Sequence, residues 1–230
     1  MAISLADYIT AVAGIGTAAV ALVDSSKTVR GGISNCGFWH IRRVVTNLFP
    51  NDPAGADATS PLELADVLAA LRANWLNGTP LTDQIKLARS LIALRLDAIT
   101  APHLALITGV DPTILTTGAD KMRIGEPLDK QETAVVARCN LMVAALLDEG
   151  YLCADQTYRN ASKVTAGALA MLLATIGGWT LSTSAYWGTS DMGIALLAGV
   201  FATPLAPVAK DLSKAVTAAA RIRAQVAKTG

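Results

Sequence analysis

Charge, aromatic rings and cysteine are all scarce in this sequence, and each shortage narrows what the chain can be. Charged residues occupy 16 % of the 230 positions, against about 25 % in ordinary soluble domains. Nineteen Lys and Arg offset eighteen Asp and Glu, a net charge of +1. No field of one sign is therefore available to hold a nucleic-acid backbone, and nucleic acid is not an expected partner. Aromatic residues are 5 %, so the apolar excess rests on Ala, Leu, Val and Ile. A chain of this kind is either a very well buried helical protein or one that uses lipid as part of its solvent.

The three cysteines, Cys36, Cys139 and Cys153, have neither metal-site spacing nor the even count of a disulfide framework. The two histidines, His40 and His103, have no Cys, His or Asp at ligand distance in sequence. No serine sits in a G-x-S-x-G elbow. Asp148-Glu149 looks like the solvated end of a helix rather than a catalytic pair. Gly14-Ile-Gly16-Thr-Ala-Ala19 matches a dinucleotide fingerprint in letters alone. That motif needs a strand before it and an acid about 20 residues beyond it, whereas here the surroundings are helical and Asp24 comes too early. No enzymatic activity, cofactor or metal is expected.

What the chain does have is three long uncharged runs. Tyr8 to Val23 is sixteen residues without a charge, Val164 to Ser190 twenty-seven, and Met192 to Ala209 eighteen. A perpendicular membrane span needs roughly 20 apolar residues, so each run lies at the lower end of spanning length. MAISLADY has no basic region and carries Asp7, so it does not resemble a signal peptide. With spans near 6–23, 164–182 and 192–209, Lys27, Arg30, Arg42, Arg43, the middle of the chain, Lys163 and the basic tail share one side. The other side receives only the N-terminus and the turn at 182–191, which have no Lys or Arg. The positive-inside rule then places the N-terminus outside and the C-terminus in the cytoplasm. The alternative is a soluble helical bundle in which the same runs are core helices.

Within the runs, small residues permit close helix approach. Gly14, Ala18, Gly167, Gly177, Gly178 and Gly193 are the candidate packing positions, and they predict a homo-oligomer. Trp39, Arg42, Arg43, Tyr186, Trp187, Lys210 and Lys214 suit the headgroup boundary. Residues 27–60 are expected to be an interfacial segment and loop, and 210–230 a basic helix held at anionic lipid.

The centre of the chain, 61–160, is expected to be a helical cytoplasmic domain. Ser60-Pro61-Leu62-Glu63 has the form of a helix start, with Leu64, Leu68, Leu71 and Trp75 on one face. A second helix from about Thr82 carries Ile85, Ala88, Ile92, Leu96 and Ile99. Short helical turns surround Pro112. A third helix from about Leu128 to Gly150 carries Val135, Cys139, Met142 and Leu146. The echo of Gly78-x-Pro80-Leu81-x-x-Gln84 in Gly125-x-Pro127-Leu128-x-x-Gln131 is read as shared helix-start chemistry. The expectation is thus an all-α protein with about three membrane helices (1–26 and the hairpin 163–209) and a helical cytoplasmic domain. Its expected role is a self-assembling pore, channel or membrane-perturbing unit. The alternatives are a membrane anchor presenting the helical domain to a protein partner, or a soluble structural subunit.

Overall fold

The computed structural model describes residues 5–26, 29, 31–49, 63–182 and 186–205. The protein is all-α, with no strand among the described residues. In chain order the helices are α1 (Leu5–Ser26), α2 (Asn35–Leu48), α3 (Leu64–Leu76), α4 (Leu81–Leu94), α5 (Ala101–Thr108), α6 (Pro112–Ile124), α7 (Lys130–Leu181) and α8 (Ser190–Leu205). The chain divides into two compact units. One comprises Ser34–Tyr158; the other comprises Met1–Ile33 and Arg159–Gly230. They are called here the central unit and the apolar unit.

The central unit holds the larger core, drawn from α2 to α6 and the first part of α7. Phe38, Ile41, Val45 and Leu48 from α2 meet Val67, Leu71 and Trp75 from α3, Ala88 and Ile92 from α4, Leu104 from α5, Leu115 from α6, and Val136, Val143, Leu147 and Tyr151 from α7. Helix ends follow local chemistry. Asp111 caps α6 by accepting from the N–H groups of Thr113 and Ile114, with Pro112 at the first position. The α7 start is a reciprocal capping box: Glu132 accepts from the Asp129 N–H, and Asp129 accepts from the Glu132 N–H. Gly78 and Gly125 follow α3 and α6 with φ of 70° and 78°, so the repeated G-x-P-L-x-x-Q is a helix stop followed by a start. Its two glutamines diverge, since Gln84 is buried and Gln131 exposed.

Several expected boundaries are corrected. Helix α3 starts at Leu64 with Glu63 as a cap residue that makes no side-chain bond; Ser60 and Pro61 lie outside the described residues. Leu64 and Leu68 are only partly buried, and Val67 takes the inner position. Helix α4 stops at Leu94, leaving Ile99 exposed. On α7 the inner stripe is Val136, Cys139, Val143 and Leu147, while Met142 faces out. Within the expected interfacial segment and loop, residues 35–48 form a packed helix rather than a loop. Nor does Gly150 end a helix, because α7 runs through it and through the expected boundary at 160–163. Gly37 and Gly150 are crossing points. A Cβ on Gly37 would lie 2.5 Å from the Ala154 carbonyl oxygen, and one on Gly150 would lie 2.8 Å from the Val44 side chain.

Two buried polar groups give testable consequences. Among the described residues the Tyr151 hydroxyl has no hydrogen-bond partner, and burial pushes its phenol well above the ordinary tyrosine range. Tyr151→Phe removes a desolvated group without opening a cavity, so stability should rise by about 1 kcal/mol. Denaturant unfolding of the full chain, followed by the emission of buried Trp75, checks this; a loss of stability would show that the hydroxyl is satisfied. Separately, Lys121 Nζ donates to Glu132 Oε1 at 2.6 Å. That hydrogen bond raises the Lys121 pKa above the ordinary lysine value; burial opposes the rise, and the charges of Glu132, Asp129 and Glu126 support it. The folded chain therefore holds this proton more tightly than the unfolded chain. The stabilisation is complete below the ordinary lysine pKa and is lost as pH rises through the folded value. Thermal unfolding across the alkaline range should show this loss in the native chain and not in Glu132→Gln.

Candidate functional site

Among the described residues two helices are long and apolar enough to cross a membrane, α1 (through Ile9–Ser26) and α7. Only 28 % and 17 % of their most apolar windows are buried. Helix α8 is apolar but shorter.

The apolar unit is organised around small side chains. Its core cluster is Val12, Ala19, Ala170 and Ala202, with Ile15, Leu169, Leu173, Ala198 and Leu205 packed beside it. Along α7 the buried positions are Ala166, Ala170 and Ala174, one every four residues, which keeps them on one helix face. Gly199 of α8 continues this contact, since a Cβ there would lie 2.5 Å from Met171 Cα and 3.0 Å from the Ala170 carbonyl oxygen. On α1 the buried set is Val12, Ala13, Gly16, Ala19 and Val23, which share one face of the helix.

Many of the large apolar side chains point the other way. Val20 and Leu22 of α1, Leu172, Ile176, Trp179 and Leu181 of α7, and Ile194, Leu197, Val200 and Phe201 of α8 are all exposed. A soluble domain buries most of its Leu, Ile and Phe and rarely leaves many of them exposed side by side. Here Ala19, Ala170 and Ala202 are 0 % exposed while Leu181 is 85 % exposed.

The candidate packing residues divide accordingly. Gly178 is a close approach, with the Tyr186 ring against its α-carbon. Gly14, Gly167, Gly177 and Gly193 have nothing within 4 Å of a Cβ built there, and Ala18 is exposed. These five are not where described helices of this chain cross. Of the residues that are, Ala166, Ala170 and Ala174 carried a visible signal in their i, i+4 spacing, whereas Gly199 of α8 carried none.

The boundary candidates also divide. Tyr186 is buried, packed on Gly178, with its hydroxyl unpartnered among the described residues. Trp187 is exposed and lies 6.4 Å from the exposed Trp179 ring, on the short turn between α7 and α8. In the central unit Trp39, Arg42 and Arg43 are all exposed on α2. Lys210 and Lys214 lie outside the described residues, as does the rest of the basic tail.

The remaining chemistry is structural. Gly14 to Ala19 lies inside continuous α1, without the strand a dinucleotide site requires. His103 Nε2 donates to the Asn47 carbonyl at 2.8 Å, and His40 Nε2 shares a 3.0 Å hydrogen bond with the Thr157 hydroxyl. Burial pushes the Cys139 thiol up, a shift opposed by a hydrogen bond from Thr108. Among the described residues no group of three His, Cys, Asp or Glu could hold a metal ion. An open depression of about 380 Å³ between Lys86, Arg89, Ser90, Ala93 and Asn140 has its Lys86 ion-paired with Asp83 at 3.2 Å. No protein-family model, curated protein or solved structure matches this chain.

Proposed function

We propose that the apolar unit is inserted in a lipid bilayer as three helices: α1, α7 from Arg159 onward, and α8. The N-terminus then lies outside, and the central unit forms a cytoplasmic helical domain. The observation that carries this reading is the pattern of burial, with Ala166, Ala170, Ala174 and Ala202 buried while Leu172, Ile176, Trp179, Leu197 and Phe201 are exposed. Water opposes that arrangement at about 25 cal/mol per Å² of apolar surface, whereas lipid does not. The dimensions agree. From Arg159 to Trp179 is roughly twenty residues of α7, about 30 Å of helix, close to the hydrocarbon thickness of about 30 Å. One end is basic with Arg159 and Lys163, and the other is aromatic with Trp179 and Trp187.

In this reading the protein self-associates and anchors the central unit at the membrane, where it meets a protein partner or regulates assembly. Self-association is supported by the outer face of α1, where Thr10, Ala11, Gly14, Thr17, Ala18 and Ala21 are exposed. Such a flat surface allows a second helix to approach closely. A pore or channel is the second reading. It is favoured by Thr10 and Thr17 on that face, which would give several copies around an axis a lining of hydroxyls and small residues. The interior of a single chain is closed by alanine, so an aqueous path would have to run between copies.

Fractionation tests the proposal. After a carbonate wash the protein should stay in the membrane and should require detergent for release. Recovery in the soluble fraction would refute insertion and, with it, both functional readings. Ion flux in vesicles holding the purified chain then separates pore from anchor.

A further inference from the structure

The outward stripe of α2 is the surface on the central unit that combines an exposed indole with an excess of positive charge. Its sequence, NCGFWHIRRVVTNL, contains three aromatic or imidazole rings and two arginines, and no acid. The buried residues Phe38, Ile41, Val45 and Leu48 define one side. At 100° per residue, Trp39 and Arg43 fall nearly opposite that side, with Arg42 on its flank. Trp39 is 49 % exposed, an unusual position for the largest side chain on a helix that already has a complete core face. It is held in place there. The His40 ring lies 4.2 Å from it, the Arg43 guanidinium 5.9 Å from its centre, and His40 is tied to Thr157 of α7. Arg72 of α3 adds a third cation beside the start of α2, donating to the Asn35 side chain at 3.0 Å.

We propose that this stripe, Trp39 with Arg42 and Arg43, docks onto anionic phospholipid headgroups. The inference rests on the bilayer reading of the apolar unit. Lipid is the occupant for two reasons. An amphipathic indole next to guanidinium groups matches an interface that is apolar on one side and phosphate-bearing on the other. Chain connectivity also keeps α2 near such an interface: the apolar window of α1 ends at Ser26, nine residues before Asn35. On α7, Thr157 precedes Val164, the first residue of the uncharged run, by two helical turns. An acidic protein surface would also satisfy the arginines, but it would leave Trp39 unquenched by brominated lipid.

The full chain with Trp179→Phe and Trp187→Phe, leaving Trp39 and the buried Trp75, is reconstituted in phosphatidylcholine vesicles with or without phosphatidylserine. Lipids brominated near the glycerol end act as the quencher, and the same chain with Trp39→Phe gives the background. Trp39 emission should shift to the blue and be quenched in the phosphatidylserine vesicles. In Arg42→Gln/Arg43→Gln the ratio of docked to undocked protein should fall roughly thirtyfold, while Arg42→Lys/Arg43→Lys retains most of it. Water-like, unquenched Trp39 emission in protein that stays in the carbonate-washed pellet would overturn the docking and leave the bilayer reading intact. Quenching that ignores phosphatidylserine or the glutamine substitutions would overturn the anionic specificity. Recovery of the protein in the supernatant would overturn both.

Discussion

Leu172→Arg combined with Leu197→Arg should sharply reduce the amount of protein recovered in washed membranes. Both leucines are exposed, Leu172 near the middle of the α7 segment and Leu197 near the middle of α8. An arginine at the centre of a membrane helix costs roughly 2.5–3.5 kcal/mol in insertion, so the pair should cost about 5–7 kcal/mol if the two add. The sign of the effect is diagnostic. On a water-facing surface, replacing two exposed leucines with arginine leaves stability within about 0.5 kcal/mol and improves solubility. The membrane fraction and the total yield, measured together, distinguish these outcomes. An unchanged or more soluble double variant would remove the lipid-facing reading.

The second large effect is expected at Gly199. A Cβ there meets Met171 Cα at 2.5 Å and Met171 N at 2.9 Å, and backbone atoms cannot rotate aside as a side-chain end can. Gly199→Val should therefore separate α8 from α7 at a cost of about 3 kcal/mol, the upper end of ordinary overpacking. Gly167→Ala and Gly193→Ala, in open space, should be neutral or slightly stabilising, because alanine restricts the unfolded helix more than glycine does. Resistance to unfolding in mixed detergent, compared across the three variants, tests the contrast. Equal behaviour of all three would mean that the α7–α8 contact does not hold the apolar unit together.

Much of the local structure could be read from residue patterns. The all-α class follows from helical periodicity in the centre, from Gly78 and Gly125 as stops, and from apolar runs without strand alternation. The turn between α7 and α8 was legible because Ser182 to Asp191 interrupts two uncharged runs with polar and aromatic residues. Less legible was the role of glycine. Gly150 and Gly37 each lack a side chain because another helix passes there. Their partners, Val44 and Ala154, are more than a hundred residues away in sequence. The same limit explains the packing seam. Gly14 and Ala18 have a suitable spacing, as do Ala166, Ala170 and Ala174, and only the placement of a neighbour distinguishes a buried seam from an outer face.

The sequence by itself determined composition, helical class, the three uncharged runs and the placement of Lys and Arg between and beyond them. These are properties of covalent order and local backbone preference, and they hold whatever the chain later packs against. Tertiary structure alone decided that residues 35–48 are a core helix, that α7 continues for 52 residues through its glycine, and that the apolar unit turns Ala170 and Ala202 inward and Leu172 and Leu197 outward. The physical reason is that burial belongs to pairs of surfaces. A helix carries several faces that could be covered, and which one is covered depends on residues that chain order places far away.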